Sequence, residues 1–261
     1  MATLKDVKRI VIKVGTSTLT HHTGKSNIRQ IKKLVAVISD IVNSGVEVAL
    51  VTSGAIGVGV GKLGLRHRPT NTAGKQAAAT IGQCELMFMY DKMFAEFGHT
   101  VGQFLITKRD VDNDECRENL INAFEKTFEY GAIPIINEND AVAVEEIVFG
   151  DNDSLSAIVA KLIKADALLI LTDIDGLYDK DPHKDEDARI IPVVEEITEH
   201  LFEIAGGKGS KFGTGGMITK LQAAQIATEV GIPTIVMNGG DSDNIYRVLE
   251  GHQVGTFFTA K

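Results

Sequence analysis

The chain has 261 residues and a formal net charge of −8, with 44% hydrophobic and 24% charged residues. This is ordinary globular composition, with enough chain for a large core. The negative charge argues against a general affinity for nucleic acid or an anionic membrane surface. No run approaches 18 apolar residues and the N-terminus has no apolar signal-peptide core, so we expect neither a membrane helix nor a secretory signal.

Apolar runs alternate with segments of helical periodicity along the whole chain. The predicted strands are 9–15, 47–54, 101–107, 132–140, 166–176, 232–240 and 254–260. The predicted helices are 27–45, 73–97, 117–130, 152–165, 217–231 and 243–251, the first with Asn27 and Gln30 as a capping box. Continuous apolar strands that alternate with helices predict an α/β fold with a largely parallel sheet covered on both faces. We interpret residues 1–261 as one domain.

The two cysteines, Cys84 and Cys116, form no CxxC pair and have no histidine at metal-ligand spacing. We interpret them as reduced thiols of a cytoplasmic protein.

Four predicted strands end in small, polar or charged residues, at 13–17, 52–55, 137–140 and 172–176. Ligands of open α/β sheets bind beyond the carboxyl ends of the strands, so the pattern predicts one shared cleft. Any single one of these ends has a second interpretation as ordinary turn chemistry, because Gly, Asn, Asp and Ser dominate turns.

Lys13 interrupts the apolar strand VIKVG. In one interpretation its ammonium reaches water at the edge of the sheet. In the other it is a cation at the floor of the cleft, where Gly15 lets a ligand approach the backbone.

The stretch GDNDS, residues 150–154, precedes an apolar helix. Such residues are preferred helix N-caps, but a single one suffices for a cap. The polar residues beyond the one needed for a cap suggest an acidic group that orients lysines from other segments. Asn152 could bind an ammonium or a carboxylate.

Residues 206–216 contain six glycines together with Lys208 and Lys211, directly before a predicted helix. Backbone N–H groups and the positive end of a helix dipole favour a bound phosphate there. Lys220, one turn into the helix, can point back over the loop. The spacing is not the Walker pattern, in which lysine follows glycine directly. The alternative interpretation is a mobile surface loop without a ligand.

Six stretches carry a family resemblance: VIKVGTSTL (11–19), VTSGAIGVG (51–59), INENDAV (136–142), FGDNDSLSAIVA (149–160), LTDIDGLYDKDP (171–182) and GTGGMITKLQAA (213–224). In this order they resemble the amino acid kinase family and, within it, the glutamate 5-kinases. The resemblance implies a three-layer α/β/α sandwich. It also implies transfer of the ATP γ-phosphate to the γ-carboxylate of L-glutamate, with Mg²⁺, to give L-glutamyl 5-phosphate for proline biosynthesis.

The resemblance further implies roles for residues at matching positions. Lys13 and Lys220 are expected to stabilise the transferring phosphoryl group, and Asp153 to organise these lysines. The expected glutamate-binding residues are Ser53, Gly54, Ala55, Asn137, Asp140 and Asn152. The expected ATP-binding residues are Lys13, Gly15, Thr172, Asp173, Thr214, Gly215, Gly216, Met217, Ile218, Thr219 and Lys220. Glutamate is assigned to the part up to about residue 165 and ATP to 166–261. No protein ligand for Mg²⁺ is identified.

The residues suit this chemistry. A glutamate carboxylate, with a pKa of about 4.3, is already ionised at neutral pH and needs no general base. None of the seven histidines lies in a strand-end motif. The obstacle to the reaction is the repulsion between the carboxylate and the triphosphate, because two like unit charges 4 Å apart repel by roughly 4 kcal/mol at an effective dielectric constant of 20. Positioning and charge stabilisation are therefore the catalytic tasks.

The resemblance implies feedback inhibition by proline, for which 141–149 is the segment to test, and a homo-oligomer, either dimer or tetramer. Many bacterial members carry a C-terminal PUA domain, which we do not expect here because the sequence ends after its last strand. Two alternatives stay open. One is another kinase of the same fold, acting on aspartate, acetylglutamate, carbamate or uridylate. The other is a non-catalytic amino-acid or nucleotide sensor.

Overall fold

The computed structural model describes residues 4, 6–21, 25–143, 152–180, 182, 185–206 and 216–261. The chain divides into two compact units. One combines Met1–Lys13 with Gly150–Lys261, and the other spans Val14–Phe149. These divisions differ from the expected boundary near residue 165, and the assignment of glutamate and ATP to two parts of the chain stays a prediction. Within the described residues no helix is long and apolar enough to cross a membrane.

Eight strands and ten helices are described. The strands are β1 (Arg9–Val14), β2 (Glu47–Val51), β3 (Val101–Ile106), β4 (Ile133–Glu138), β5 (Ala167–Thr172), β6 (Val193–Val194), β7 (Thr234–Asn238) and β8 (Thr256–Phe258). The helices are α1 (Thr16–Leu19), α2 (Ile28–Asn43), α3 (Ala55–Leu63), α4 (Thr72–Ala95), α5 (Lys108–Asp112), α6 (Asp114–Glu129), α7 (Asn152–Leu162), α8 (Glu199–Gly206), α9 (Met217–Thr228) and α10 (Asn244–Leu249).

The strands are ordered β3-β4-β2-β1-β5-β7-β8-β6 in the sheet. In the unit Val14–Phe149, β2 and β3 each run parallel to β4. In the other unit β5 runs parallel to β7 and β6 parallel to β8, whereas β8 runs antiparallel to β7. The predicted α/β fold, with a mostly parallel central sheet flanked by helices, is confirmed.

Burial follows the apolar pattern of the sequence. Every residue of β5 is buried, as expected for a strand covered on both faces. In α2, the N–H of Gln30 donates to Asn27 Oδ1 at 3.2 Å, which confirms the Asn27 half of the predicted capping box. The apolar residues of this helix that are buried include Ile31, Leu34, Val35, Ile38 and Ile41, whereas Val42 is half-buried and Ile28 is 58% exposed.

The sequence pattern did not predict α3, whose residues AIGVGVGKL include glycines of low helix propensity. The structure supplies the reason for one of these glycines, Gly59, and for Gly82 of α4. A Cβ added at Gly59 would lie 1.8 Å from the carbonyl oxygen of Ala78, and one at Gly82 would lie 1.8 Å from that of Ala55. Helices α3 and α4 therefore cross with their backbones in contact. The short elements α1, α5, α8 and β6 were also not predicted.

Candidate functional site

Lys13, Asp153 and Lys220 form one buried ionic cluster, which lies wholly within the unit of Met1–Lys13 and Gly150–Lys261. Lys13 Nζ lies 2.6 Å from Asp153 Oδ1, and Lys220 Nζ lies 3.1 Å from Asp153 Oδ2. The three residues come from β1, the first turn of α7 and the first turn of α9. The structure thus brings together the two predicted lysines and the acidic residue predicted to organise them.

Asp153 is ionised at neutral pH. Burial by itself would raise the pKa of this carboxyl, but the charges of Lys13 and Lys220 oppose that effect. Hydrogen bonds from Lys13 and Thr219 add to them, and the pKa of Asp153 is lowered to about 2. Thr219 Oγ1 donates to Asp153 Oδ2 at 2.8 Å. Two lysines thus share one carboxylate, and the three side chains together favour an anion.

The start of α9 directs Lys220 toward this cluster. Its Nζ also donates to the carbonyl oxygen of Gly216, one turn earlier, at 3.3 Å. The side chain therefore points back toward the helix N-terminus, as side chains on helices do. Gly216 itself has a φ of 116°, a backbone conformation that favours glycine.

Some of the other predicted nucleotide contacts lie within the described residues and others lie outside them. Thr172, buried at the end of β5, donates through Oγ1 to Asp173 Oδ1 at 3.1 Å. Met217 and Ile218 are half-buried in the first turn of α9. Asn152, which is a predicted glutamate contact, is buried at the start of α7, beside Asp153. Lys208, Lys211, Thr214 and Gly215 lie outside the described residues.

The predicted glutamate residues, apart from Asn152, lie in the unit Val14–Phe149. Ser53 and Gly54 follow β2, and Gly54, with a φ of 97°, caps α3, which begins at Ala55. Gly15, one of the predicted ATP contacts, caps the short helix α1 in the same unit. The binding roles of these residues stay predictions.

Asn137 and Asp140 lie at the end of β4. Asn137 is buried; its Nδ2 donates to Gln83 Oε1 at 2.8 Å, and its Oδ1 accepts the N–H of Glu138 at 2.9 Å. Asp140 is half-buried just beyond the strand. Burial raises the pKa of Asp140, and the positive charge of Arg68 partly opposes this rise.

A cavity of about 380 Å³ lies in this unit between α4, β3 and the end of β4. Its wall includes apolar side chains, such as Met87 and Leu105, and the polar side chains of Gln83, Glu138 and Asp140. Gln83 was missed by the sequence analysis, because a glutamine within an alanine-rich helix carries no motif or spacing that distinguishes it.

The described residues contain no group of three or more His, Cys, Asp or Glu side chains placed to hold a metal ion. Cys84 and Cys116 are both exposed and free, on α4 and α6.

The family model of the amino acid kinase family matches residues 8–238. The chain belongs to the amino acid kinase family. It is 53% identical to a glutamate 5-kinase of Clostridium perfringens, with 99% of this chain and 97% of that relative covered. It is 51% identical to a glutamate 5-kinase of Clostridium tetani, with 98% and 96% covered. A glutamate 5-kinase of Caldanaerobacter subterraneus is also 51% identical, but the match covers 67% of its length.

Solved structures agree with this family fold at much lower identity. A UMP kinase from Bacillus anthracis matches with a TM-score of 0.67 at 18% identity, covering 98% of this chain and 97% of that one. An isopentenyl phosphate kinase of T. acidophilum matches with a TM-score of 0.63 at 19% identity, covering 96% of this chain and 100% of that one. At such identities the similarity shows the fold alone.

Proposed function

We propose that this member of the amino acid kinase family is a glutamate 5-kinase. It transfers the γ-phosphoryl group of ATP to the γ-carboxylate of L-glutamate, giving L-glutamyl 5-phosphate and ADP, the first step of proline biosynthesis. The observation that carries the proposal is the buried Lys13–Asp153–Lys220 cluster, in a chain 53% identical to a glutamate 5-kinase over 99% of its length.

The cluster suits phosphoryl transfer to a carboxylate. A γ-carboxylate oxygen attacks the γ-phosphorus, the bond to the β–γ bridging oxygen breaks, and ADP leaves. The nucleophile is already an anion, so the protein has to offset negative charge rather than remove a proton. Lys13 and Lys220 supply that charge. Asp153, with its pKa lowered to about 2, stays ionised and holds both ammonium groups in position.

The start of α9 supports a nucleotide at the same cluster. The N-terminus of this helix, capped by Gly216, carries the positive end of the helix dipole and unsatisfied N–H groups. Lys220 lies in its first turn and contacts Asp153. Thr172 and Asp173, at the end of β5, are the proposed further nucleotide contacts.

Mg²⁺ would reach the site with ATP. The described residues offer no cluster of carboxylates for it, and Asp153 is engaged by two lysines. Mg²⁺ commonly keeps several waters and binds through substrate phosphates, so the phosphate oxygens would be its main ligands. When bound, it would neutralise charge on the transferring phosphate.

For the acceptor, we propose that Asp140 binds the ammonium of glutamate and that Ser53, Gly54, Ala55, Asn137 and Asn152 bind its carboxylates. Asp140 suits an ammonium because its half-buried carboxyl gains a charge partner when the substrate binds.

We also propose inhibition by proline, assembly as a homo-oligomer and location in the cytoplasm. Of the segment proposed for proline, 141–149, residues 144–149 lie outside the described part of the chain.

A panel of acceptors tests the function directly. Purified protein, Mg²⁺ and ATP are incubated with glutamate, aspartate, N-acetylglutamate, carbamate or UMP, and ADP release is followed. Hydroxylamine traps the acyl phosphates as hydroxamates. We expect turnover with glutamate at least about a hundredfold above that with the other acceptors. Preferred turnover of another acceptor, or binding of ATP without any turnover, would contradict the proposal.

A further inference from the structure

Gln83 on α4 makes a hydrogen bond that its own helix does not require. Its Oε1 accepts from Asn137 Nδ2 at 2.8 Å, across a sequence separation of 54 residues. Gln83 is 8% exposed and Asn137 is 3% exposed. Both therefore lie in the interior of the unit Val14–Phe149, where a hydrogen bond constrains two side chains strongly.

The amide of Asn137 is held at both ends. Nδ2 donates to Gln83, and Oδ1 accepts the N–H of the next residue, Glu138, at 2.9 Å. An asparagine amide that is bonded at one end only can rotate about its last torsion. The bond to Gln83 and the bond from the N–H of Glu138 therefore both fix the rotation of the Asn137 side-chain amide.

The other half of the Gln83 amide is unsatisfied. Its Nε2 is buried and has no hydrogen-bond partner in the part of the chain that the structure describes. A buried donor without an acceptor opposes folding, and an apolar residue of similar shape would avoid this cost. The cost of the unsatisfied Nε2 therefore offsets much of what the bond to Asn137 contributes, and stability by itself gives little reason for a glutamine at this position.

We propose that Gln83 is a positioning residue for the acceptor site, and that it acts by holding the amide of Asn137 in its binding orientation. This inference rests on the proposed function, in which Asn137 contacts glutamate. It explains why an unsatisfied amide occurs at the wall of the 380 Å³ cavity that Gln83 shares with Asp140. Helix α4 supplies the hydrogen-bond acceptor, Gln83 Oε1, and β4 supplies Asn137, the side chain that contacts the substrate.

The test compares two substitutions that separate positioning from stability. Gln83→Met removes both polar atoms at similar volume, whereas Gln83→Glu keeps an oxygen that accepts from Asn137. We expect Gln83→Met to raise the KM for glutamate about tenfold and to change the KM for ATP less than about twofold. Tm should change little, because removal of the unsatisfied Nε2 offsets the cost of taking its Gln83 acceptor from Asn137 Nδ2. We expect Gln83→Glu to restore the KM for glutamate to within about threefold of the original.

Thr80→Val is the matched control. Thr80 lies on the same cavity wall, one turn before Gln83, and its hydroxyl donates to the carbonyl of Ala77 within the helix. This variant removes a polar atom from the cavity without affecting Asn137, so the KM for glutamate should not change. A second check uses Asn137→Ala, in which adding Gln83→Met should raise KM no further, because the residue through which Gln83 acts is gone.

An unchanged KM in Gln83→Met, or an additive effect in the double variant, would overturn the inference. So would a fall in Tm together with equal losses in glutamate and ATP affinity, which indicates a purely structural role. The original protein, assayed in parallel, separates this outcome from failure of the proposed function. If it does not phosphorylate glutamate, calorimetric titration with glutamate alone replaces KM, and absence of binding to the original protein also overturns the inference.

Discussion

Lys13 and Asp153, which lie far apart in the sequence, are joined by a 2.6 Å ion pair in which both side chains are almost completely buried. A buried ion pair is not by itself a source of stability, because desolvation offsets much of the attraction. Here the same carboxylate also holds Lys220 at 3.1 Å. Two cations kept together by one anion favour a site that receives negative charge.

Lys220→Ala should lower kcat by roughly a hundredfold or more while leaving the KM for glutamate nearly unchanged. Charge develops on the transferring phosphoryl group during the reaction, and its interaction with Lys220 is worth several kcal/mol in a dry site. Glutamate does not depend on Lys220 for binding, so its KM should not change. Steady-state kinetics with both substrates measures the effect. Lys161→Ala, an exposed lysine on α7, is the control. A kcat within a few-fold of the original would show that Lys220 is not catalytic.

Asp153 makes stability depend on acid pH. Its pKa is lowered from an ordinary value of 3.8 to about 2 in the folded protein. The stabilisation is therefore fully present above about pH 4 and is lost as the pH falls toward 2, because the unfolded chain binds the proton more readily. The shift corresponds to roughly 2 kcal/mol in the free energy of unfolding.

Urea unfolding of the original protein and of Asp153→Asn at pH 6 and at pH 2.5 measures this effect. The difference in unfolding free energy between the two proteins should shrink at pH 2.5, because the carboxyl of the unfolded chain is then largely protonated and has to release its proton on folding. Asp112→Asn removes an exposed partner of Lys108 and should show little difference at either pH. If the difference in unfolding free energy between the original protein and Asp153→Asn did not depend on pH, Asp153 would not be the ionised partner of the two lysines.

Asp140→Asn should raise the KM for glutamate by roughly tenfold to a hundredfold with kcat changed little, since a charge-assisted hydrogen bond to the substrate ammonium is lost. The KM for ATP should stay the same. Asp91→Asn, on the exposed face of α4, serves as the matched control. Normal saturation by glutamate in Asp140→Asn would remove this residue from the acceptor site.

Gly82→Ala should destabilise the protein strongly, by roughly 3 kcal/mol or more, because its Cβ would lie 1.8 Å from the backbone oxygen of Ala55 and α3 and α4 would have to separate. Gly57→Ala, within α3, is the comparison. Its Cβ would meet a side-chain atom of Thr16 at 3.9 Å, an ordinary contact. That variant should gain up to about 1 kcal/mol from helix propensity. Chemical denaturation compares the two, and equal effects would contradict the close crossing of these helices.

The amino-acid sequence by itself determined the class of fold and the residue types of the candidate site. Local periodicity records burial, so continuous apolar runs predicted strands such as β1 and β5, and the cap at Asn27 was recognisable from neighbouring residues. Lys13 and Asp153 stood out because a charge within an apolar strand, or a surplus of polar residues before a helix, conflicts with the local pattern.

Tertiary structure alone decided the features that depend on contacts between distant segments. Gly59 of α3 and Gly82 of α4 allow the backbones of these two helices to come into contact. Local helix propensity does not predict α3, because this packing involves a distant segment of the chain. The bond between Gln83 and Asn137 joins residues 54 positions apart, and no spacing in the sequence encodes it. The sharing of Asp153 by Lys13 and Lys220 is of the same kind, because only folding brings β1, α7 and α9 within hydrogen-bonding distance.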